Sequence, residues 1–463
     1  FMDGTDNRIR SDSNNNMRLT AGQWNSLVVV FESGVGLKYY INGSLAGIAI
    51  NEFRKWTFPA KDLLKSRENT FEFHFESPKK LADSLYANLN PLLPGGSRVV
   101  LRKTQCQFGW DFGPCFLTSG LEALPKLVAW NQVFLEDASI QTLSILPNQA
   151  ELELLVHFGK TDPQEQKLEF ELEIADRKFI FFKDYTAGKH AFKHVFSFQD
   201  PKLWWPNGMG SPHLYPCSLS LLVDGKKIQQ KIWNLGIRTL ELDQQNDSSG
   251  RAFRFLVNSK PVFCKGSNYI PADLLRQDSK TCASLLESAV LSNFNMIRIW
   301  GGGRYETENF YNTCDEKGLM VWHDFMFACG MYPGDSIFLE NVEEEARQQV
   351  IRLAKHACLA LWCGNNENNE GWHRWGWQSD MTESHRELDT FGLDELVDAG
   401  TPSQDLVGRR VRWHRQYTGV VVELAIAKLA IRLRMACGRC RVRRRTVYVT
   451  SGCHAGAWCY VSD

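Results

Sequence analysis

The hydrophobic pattern of this chain changes once, near residue 252. Upstream of that point, short runs rich in β-branched and aromatic residues, partly alternating with polar residues, are separated by turn dipeptides such as Asn42-Gly43. Such runs are typical of antiparallel strands that bury one face. They fall into two groups, and their spacing predicts two successive β-sandwiches, over residues 26–125 and 127–240.

Downstream of residue 252, continuous apolar runs alternate with helical patterns. Each apolar run ends in polar or glycine-rich sequence, and the runs are "PVFCKGSNYIP", "MIRIWGGG", "LMVWHDF" and "CLALWCGNNE". Alternating strands and helices, with strands that are apolar on both faces, predict a parallel sheet. Polar residues at the carboxyl ends of the strands further predict a (β/α)8 TIM barrel, which carries its chemistry on that face. Four of the eight units of such a barrel are visible in the sequence.

After about residue 380 this alternation stops. Residues 401–463 contain eleven Arg and one Lys against three carboxylates, although the formal net charge of the whole chain is zero. One interpretation is a basic patch that binds nucleic acid. The interpretation that we favour is a tail not shaped for this fold, for example a frameshifted or intron-derived end.

The composition otherwise indicates a globular chain without a membrane span, because no stretch approaches the roughly 18 apolar residues that a span requires. No signal peptide is visible at Phe1. Glycosylation sequons begin at Asn42 and Asn246 and slightly favour a secretory route. The thirteen Cys are mostly scattered, several of them in apolar runs, which predicts buried thiols rather than a disulfide framework.

The fourth apolar run passes directly into amides and acids, in "LWCGNNENNEG". A carboxylate at a barrel rim can act as a general acid, and an adjacent amide can bond a sugar hydroxyl. Glu367, at the end of this run, is therefore a candidate for acid chemistry, with Asn366 beside it. Glu370 lies where a helix is expected to begin, and we interpret it as complementing that helix N-terminus.

Two aromatic features have both a structural and a functional interpretation. Trp300 ends the second apolar run before three glycines, so it could form a sugar platform or could pack within the barrel. Trp110-Asp111-Phe112 lies between glycines. It could be a sandwich turn in which Asp111 bonds its own backbone, or a loop that leans over a neighbouring cleft.

Two groups of residues superficially resemble metal sites. His323-Asp324 has no further His or Cys at ligand spacing nearby, so we favour hydrogen bonding at the rim. The other group has spacings that fit no standard zinc module and lies in the tail, at Cys437, Cys440, Cys453, His454 and Cys459. We predict no metal and no cofactor.

Taken together, several motifs resemble the beta-mannosidases of glycoside hydrolase family 2, particularly the animal lysosomal type. They span roughly residues 60–377, and the main ones are "QCQFGWDFGP", "LWWPNGMG", "KPVFCKGSNYIPAD", "NMIRIWGGGRYE", "FYNTCDEKGLMVWHDFMFACGMYP" and "LWCGNNENNE". The resemblance implies a jelly-roll sugar-binding domain (1–125, incomplete at its N-terminus), an immunoglobulin-like β-sandwich (126–240) and the first half of a catalytic TIM barrel (241–380). The remaining region, 381–463, is expected to be a non-homologous tail.

The resemblance also implies roles for individual residues. Glu367 matches the general acid/base, and Asn366 matches the asparagine that contacts the substrate. Trp110, Asp111 and Phe112 match a first-domain loop that reaches the terminal sugar, although the family usually has a second Trp where Phe112 stands. Trp300 matches an aromatic residue of the same subsite.

The implied activity is exo-acting, retaining removal of terminal non-reducing β-D-mannose from glycoprotein oligosaccharides, in the lysosome and without nucleic-acid or membrane partners. The family's nucleophile lies in a Ser-Glu-Tyr/Phe-Gly motif, yet this chain contains no Ser-Glu dipeptide. Glu383, Glu387 and Glu395 lack a matching context. We therefore expect a truncated, nucleophile-less chain with little or no activity. A β-galactosidase or β-glucuronidase type and a non-catalytic carbohydrate-binding fragment remain alternatives.

Overall fold

The computed structural model describes the parts of the chain in which the predicted sandwiches and βα units lie. The described residues are 8–9, 26–32, 35–121, 125–130, 132–161, 166–246, 248, 250–274, 279–380 and 397–398. The Arg-rich residues 401–463 with their Cys/His group, and Glu383, Glu387 and Glu395, lie outside this part. Among the described helices, none is long and apolar enough to cross a membrane.

The strands of the first sandwich are β1 (Arg8–Ile9), β2 (Ser26–Glu32), β3 (Val35–Ile41), β4 (Ser44–Ile50), β5 (Lys55–Pro59), β6 (Phe71–Phe75) and β7 (Lys126–Trp130). They form two antiparallel sheets with strand orders β1-β6-β3-β4 and β5-β2-β7. Alternate residues of β3, Leu37, Tyr39 and Ile41, are fully buried, as a pleated strand with one buried face requires.

The strand-and-turn pattern did not predict one helix in this region, α1 (Pro78–Ala87). Pro78 occupies its first turn, and the Ser77 hydroxyl accepts a hydrogen bond from the Lys80 backbone N–H. These are standard helix-start features that strand-like neighbours obscured. Short 3-10 turns occur at Lys61–Leu63, Gly96–Val100 and Gln105–Phe108.

The strands of the second sandwich are β8 (Val133–Leu146), β9 (Gln149–Lys160), β10 (Gln166–Ile174), β11 (Arg177–Tyr185), β12 (Gly188–Gln199), β13 (Tyr215–Val223) and β14 (Lys226–Leu235). A sheet of order β12-β9-β8 packs against one of order β11-β10-β13-β14, all antiparallel. Phe158, Phe170 and Phe192 meet edge to face in its core. The two predicted sandwiches are thus confirmed, except that β7, assigned from the sequence to the second sandwich, pairs with β2 of the first.

A partial α/β segment follows, and it confirms the predicted parallel sheet. A small antiparallel sheet comes first, formed by β15 (Leu240–Asp243), β16 (Arg254–Val257) and β17 (Lys260–Val262). Parallel strands then follow in chain order, β18 (Gly266–Tyr269), β19 (Met296–Ile299), β20 (Met320–Asp324) and β21 (Leu359–Cys363). The run "PVFCKGSNYIP", expected to be one strand, therefore divides between two sheets.

Helices connect the parallel strands, as their hydrophobic periodicity predicts. They are α2 (Ser279–Leu291), α3 (Glu308–Lys317) and α4 (Ser336–Leu353). After β21 come α5 (Asn368–Arg374), α6 (Trp377–Asp380) and the short β22 (Val397–Asp398), which pairs antiparallel with β21. This last pairing departs from the parallel order that a barrel strand would follow.

Arginines from both sandwiches attach them to the α/β segment. Arg102 forms a fully buried ion pair with Glu345 of α4, at 2.7 Å. Arg238 donates to the backbone carbonyls of Ala357 and Leu359, at 3.0 and 2.6 Å. Arg102 also donates to the Met326 carbonyl after β20, and the Cys106 N–H donates to the Gly302 carbonyl after β19, which brings the loop at residues 104–113 of the first sandwich beside the carboxyl ends of the parallel strands.

Candidate active site

Polar side chains converge at the carboxyl ends of the parallel strands, around the guanidinium of Arg298. Its Nε and Nη2 donate to the two carboxylate oxygens of Asp324, at 3.1 and 2.6 Å. Its Nη1 donates to Asn268 Oδ1 at 3.3 Å, and its Nη2 to Asn366 Oδ1 at 3.0 Å. Asp324 is fully buried and also accepts the Gly301 backbone N–H at 3.0 Å. The buried carboxylate of Asp324 is therefore paired with the Arg298 guanidinium, and the hydrogen bonds of Arg298 hold the ends of neighbouring strands in place.

Asn366 and Glu367 lie side by side in the loop after β21. The Asn366 backbone N–H donates to the Phe327 carbonyl at 2.8 Å, and its carbonyl accepts the Cys329 N–H at 2.9 Å, so this loop runs parallel to the loop after β20. The Asn366 side-chain amide donates to Glu367 Oε2 at 3.2 Å. Because Arg298 holds the amide oxygen, the Asn366 NH2 group is aimed at Glu367.

The position of Glu367 differs in one respect from the sequence expectation. Strand β21 ends at Cys363, so Glu367 lies beyond the strand and is the N-cap residue of α5. Its φ of +61° is in the left-handed region. Such a conformation costs of order 1–3 kcal/mol in a non-glycine residue and persists only where its surroundings enforce it.

Cys329, which the sequence did not indicate, also contacts Glu367. Its thiol donates to Glu367 Oε2 at 3.3 Å. Burial and the Glu367 carboxylate raise the pKa of the Cys329 thiol to about 12, so the sulfur remains protonated at neutral pH. No sequence signal pointed to this residue, because the contact joins loops that follow different strands.

The aromatic residues singled out in the sequence meet in one cluster. Trp300 is buried, with 7% of its surface exposed, and the rings of Trp110 and Phe112 approach it edge to face with centroids 4.9 and 5.7 Å away. Backbone bonds between Trp110 and Gly113 close the turn, which leaves Asp111 exposed at its tip. Trp300 thus packs against the loop of the first sandwich, and part of Phe112 faces solvent.

The loop carrying Trp110 is bonded to the rim of the α/β segment. Arg98 donates to the Ala328 carbonyl at 2.8 Å, and its guanidinium carbon lies 4.9 Å from the Trp110 ring centroid. The Cys106 N–H donates to the Gly302 carbonyl at 2.9 Å. The first sandwich therefore lies directly against the loops that follow β19 and β20, next to the loop that carries Glu367.

Gly302→Ala is expected to displace the Trp300 ring, because a Cβ on Gly302 would lie 1.9 Å from a Trp300 ring carbon. We expect a loss of about 1–3 kcal/mol in the free energy of unfolding, together with a changed near-ultraviolet circular dichroism spectrum. In the control Gly364→Ala, the new Cβ has nothing within 4 Å. Equal stability of the two variants would contradict the packing described for Trp300.

The contacts of Glu370 and His323 with neighbouring protein groups indicate structural roles for both residues. Glu370 lies in the first turn of α5 and pairs with Arg374 at 3.2 Å. His323 is fully buried, and its ring nitrogens bond the Tyr311 hydroxyl and the Asp324 carbonyl, at 2.8 and 2.7 Å. Burial lowers the pKa of His323 to about 3, which keeps the ring neutral.

One further cluster brings potential metal ligands together, at Asp315, His356 and Cys358, whose ligand atoms lie within 4.8 Å of one another. Asp315 Oδ2 bonds His356 Nδ1 at 2.6 Å, and Asp315 Oδ1 accepts the Cys358 backbone N–H at 2.7 Å. The carboxylate already acts as a buried hydrogen-bond acceptor at both oxygens. The arrangement therefore fits a structural Asp–His pair better than a metal site.

Two family models match the sandwiches. The glycosyl hydrolase 2 galactose-binding domain-like model matches residues 36–122, and the glycosyl hydrolases family 2 model matches residues 133–238.

Similar proteins and structures extend this match into the α/β segment. The beta-mannosidase of Capra hircus is 34% identical over 379 residues, which cover 76% of this chain and 43% of that protein. The crystal structure of a beta-D-mannosidase from Dictyoglomus thermophilum superposes with a TM-score of 0.74 at 36% identity, covering 80% of this chain and 46% of that one.

A more distant match shows the fold alone. The Bacteroides uniformis beta-glucuronidase has a TM-score of 0.59 at 16% identity, covering 81% of this chain and 42% of that one. The chain spans less than half the length of these three proteins. From the matched models and the identity to beta-mannosidases, the chain carries glycoside hydrolase family 2 domains and is a homologue of the beta-mannosidases.

Proposed function

We propose that this chain supplies the acid/base half of an exo-acting, retaining β-mannosidase site. The observation that carries the proposal is the placement of Glu367 beside Asn366 at the carboxyl ends of the parallel strands, next to the loop that holds Trp110. Similarity to beta-mannosidases supports the sugar class.

In the proposed mechanism, Glu367 first protonates the glycosidic oxygen as the leaving group departs. A nucleophilic carboxylate roughly 5 Å from the acid attacks the anomeric carbon, and Glu367 then removes a proton from the water that releases the sugar. Asn366 is proposed to contact the sugar, and its amide orientation follows from its bond to Arg298. Trp300, Trp110, Asp111 and Phe112 are proposed to line the terminal-sugar subsite.

The nucleophile is not assigned to any described residue. The chain contains no Ser-Glu dipeptide, the motif in which the family places this carboxylate. We therefore propose that the chain has little or no hydrolytic activity by itself. The proposed natural substrate is a glycoprotein-derived oligosaccharide with terminal non-reducing β-D-mannose, and the proposed location is the lysosome.

External azide provides a test, because a small anion can attack where a nucleophilic carboxylate is lacking. Azide would form a bond to the anomeric carbon from the α face as the aryl oxygen leaves with the proton of Glu367, giving α-D-mannosyl azide and the free phenol. We expect azide-dependent phenol release from a 4-nitrophenyl β-mannoside, and much less from the β-galactoside or β-glucuronide. Absorbance of the phenol and mass spectrometry of the sugar azide are the measurements.

The outcomes separate the proposal from its alternatives. Preferred turnover of the galactoside or glucuronide would assign a different specificity. Binding of mannose by calorimetry, without phenol release at any azide concentration, would favour the carbohydrate-binding alternative. Hydrolysis in azide-free buffer would contradict the proposed lack of activity.

A further inference from the structure

We propose that Cys329 is a positioning residue for Glu367, donating its S–H to Oε2 so that proton transfer takes place through Oε1. The inference rests on the proposed function and adds to it a residue that the sequence did not indicate.

The contacts form a closed triangle of thiol, amide and carboxylate. The Cys329 sulfur lies 3.3 Å from Glu367 Oε2, and the Asn366 amide nitrogen lies 3.4 Å from that sulfur and 3.2 Å from the same Oε2. A thiol has one proton to donate and can weakly accept, so Cys329 accepts from the amide and donates to the carboxylate. The Cys329 thiol and the Asn366 amide therefore both donate to Glu367 Oε2, and these two hydrogen bonds give the carboxyl group a defined orientation.

Hydrogen bonds to both its N–H and its carbonyl hold the backbone of Cys329 in place. Its φ of +46° is left-handed, a conformation that is unfavourable for a non-glycine residue and persists only where its surroundings enforce it. The Cys329 N–H donates to the Asn366 carbonyl at 2.9 Å, while the Cys329 carbonyl accepts a hydrogen bond from Arg98 of the first sandwich. The residue is thus bonded from both sides, by the loop that carries Glu367 and by Arg98 of the first sandwich.

The Cys329 thiol stays protonated, so it can donate its hydrogen bond to Glu367 at every step of the proposed reaction. Burial and the Glu367 charge raise the pKa of Cys329 to about 12. The thiol therefore keeps its proton throughout the cycle and does not compete with Glu367 as the acid. A bond to a carboxylate is stronger than one to a neutral carboxyl group, so the thiol stabilises Glu367 most after that residue has given up its proton.

Cys264 offers a matched control within the same chain. It is also half-buried, and burial likewise raises the pKa of its thiol to about 12. Its sulfur contacts the Val262 backbone carbonyl at 3.9 Å rather than a carboxylate. A substitution there removes a comparable thiol away from Glu367.

The catalytic test uses azide-dependent turnover of two aryl β-mannosides. 2,4-Dinitrophenolate leaves without needing a proton, whereas 4-methylumbelliferone needs help from Glu367. For Cys329→Ala we expect the azide-dependent rate to fall about tenfold with the poorer leaving group, which is part of the 10²–10⁴-fold that general acid catalysis supplies, and clearly less with the better one. Cys329→Ser, which keeps a donor, should recover most of the loss, and Cys264→Ala should leave the ratio of the two rates unchanged.

A second measurement reports the contact without any turnover. Glu367→Gln removes the charge beside the thiol, so iodoacetamide should alkylate Cys329 faster at mildly alkaline pH, by about tenfold if the thiol pKa falls by one unit. Peptide mass spectrometry follows Cys329 and Cys264 in the same sample, and the rate at Cys264 should not change.

Each outcome decides the inference. An unchanged alkylation rate at Cys329 would overturn the contact. Equal falls with both leaving groups in Cys329→Ala, or no recovery in Cys329→Ser, would reduce the thiol to a packing role. If the unmodified chain turns over neither substrate, the proposed function fails and the catalytic part of the inference fails with it. Faster alkylation of Cys329 would then support the contact alone.

Discussion

Glu367→Gln is expected to lower azide-dependent cleavage of 4-methylumbelliferyl β-mannoside by about 10²–10⁴-fold, the range that general acid catalysis supplies. Glutamine has nearly the same shape and can remain beside Asn366, but it cannot deliver a proton to the leaving oxygen. The rate with 2,4-dinitrophenyl β-mannoside should fall far less, because that leaving group needs no proton. Initial rates at saturating azide for both substrates measure the effect.

The control for this prediction is Glu370→Gln. Glu370 lies in the first turn of α5 and pairs with Arg374, so it shares the helix but is assigned no part in the chemistry. Its substitution should leave the ratio of the two rates unchanged. A fall of the 4-methylumbelliferyl rate relative to the 2,4-dinitrophenyl rate in Glu370→Gln, or an unchanged ratio of the two rates in Glu367→Gln, would show that the wrong carboxylate has been chosen.

Arg102→Met is expected to lower the free energy of unfolding by about 3–5 kcal/mol, the cost of leaving a buried charge without its partner. Arg102 Nε and Nη2 donate to the two oxygens of Glu345 at 2.9 and 2.7 Å, and both side chains are 1% exposed. Its Nη1 donates to the Met326 carbonyl at 2.8 Å, and the Phe327 ring centroid lies 4.0 Å from the guanidinium carbon. Urea unfolding followed by tryptophan fluorescence measures the change.

The neighbouring pair Arg347–Glu344 on α4 provides the control. These side chains are 32% and 31% exposed, so Arg347→Met should cost less than about 1 kcal/mol. Replacing both charges, in Arg102→Met with Glu345→Leu, should recover part of the loss because no unpaired carboxylate is then buried. The recovery will be incomplete, since Glu345 also accepts bonds from Asn51 and Tyr305. Similar stability of Arg102→Met and Arg347→Met would contradict the role given to this pair in joining the first sandwich to α4.

The local hydrophobic pattern predicted which segments form strands and which form helices, and the elements that it missed have identifiable physical causes. The alternation of Leu37, Tyr39 and Ile41 predicted a half-buried strand, and the apolar run ending at Cys363 predicted a strand buried on both faces. Helix α1 was missed because its start signals stand among strand-like runs. The division of residues 260–269 between two sheets depends on which strand each piece pairs with, and periodicity does not encode the partner.

Site residues that belong to a sequence motif could be predicted, whereas residues that meet only because separate loops pack together could not. Glu367, Asn366, Trp300 and Trp110 were singled out from the sequence, and the structure places them around the same rim. Their proposed roles remain predictions, as do the other domain boundaries and the absence of the nucleophile from this chain.

The sequence by itself determined the order of two sandwiches and βα units and the chemistry available at the strand ends, because hydrophobic period and motif spacing are local properties of the chain. Only the tertiary structure decided that Cys329 donates to Glu367, 38 positions away, and that Arg102 meets Glu345 across 243 positions. Such contacts depend on how separate loops and layers dock against one another. That docking is governed by the buried charge, shape and hydrogen-bond partners of both surfaces together, which no single stretch of sequence displays.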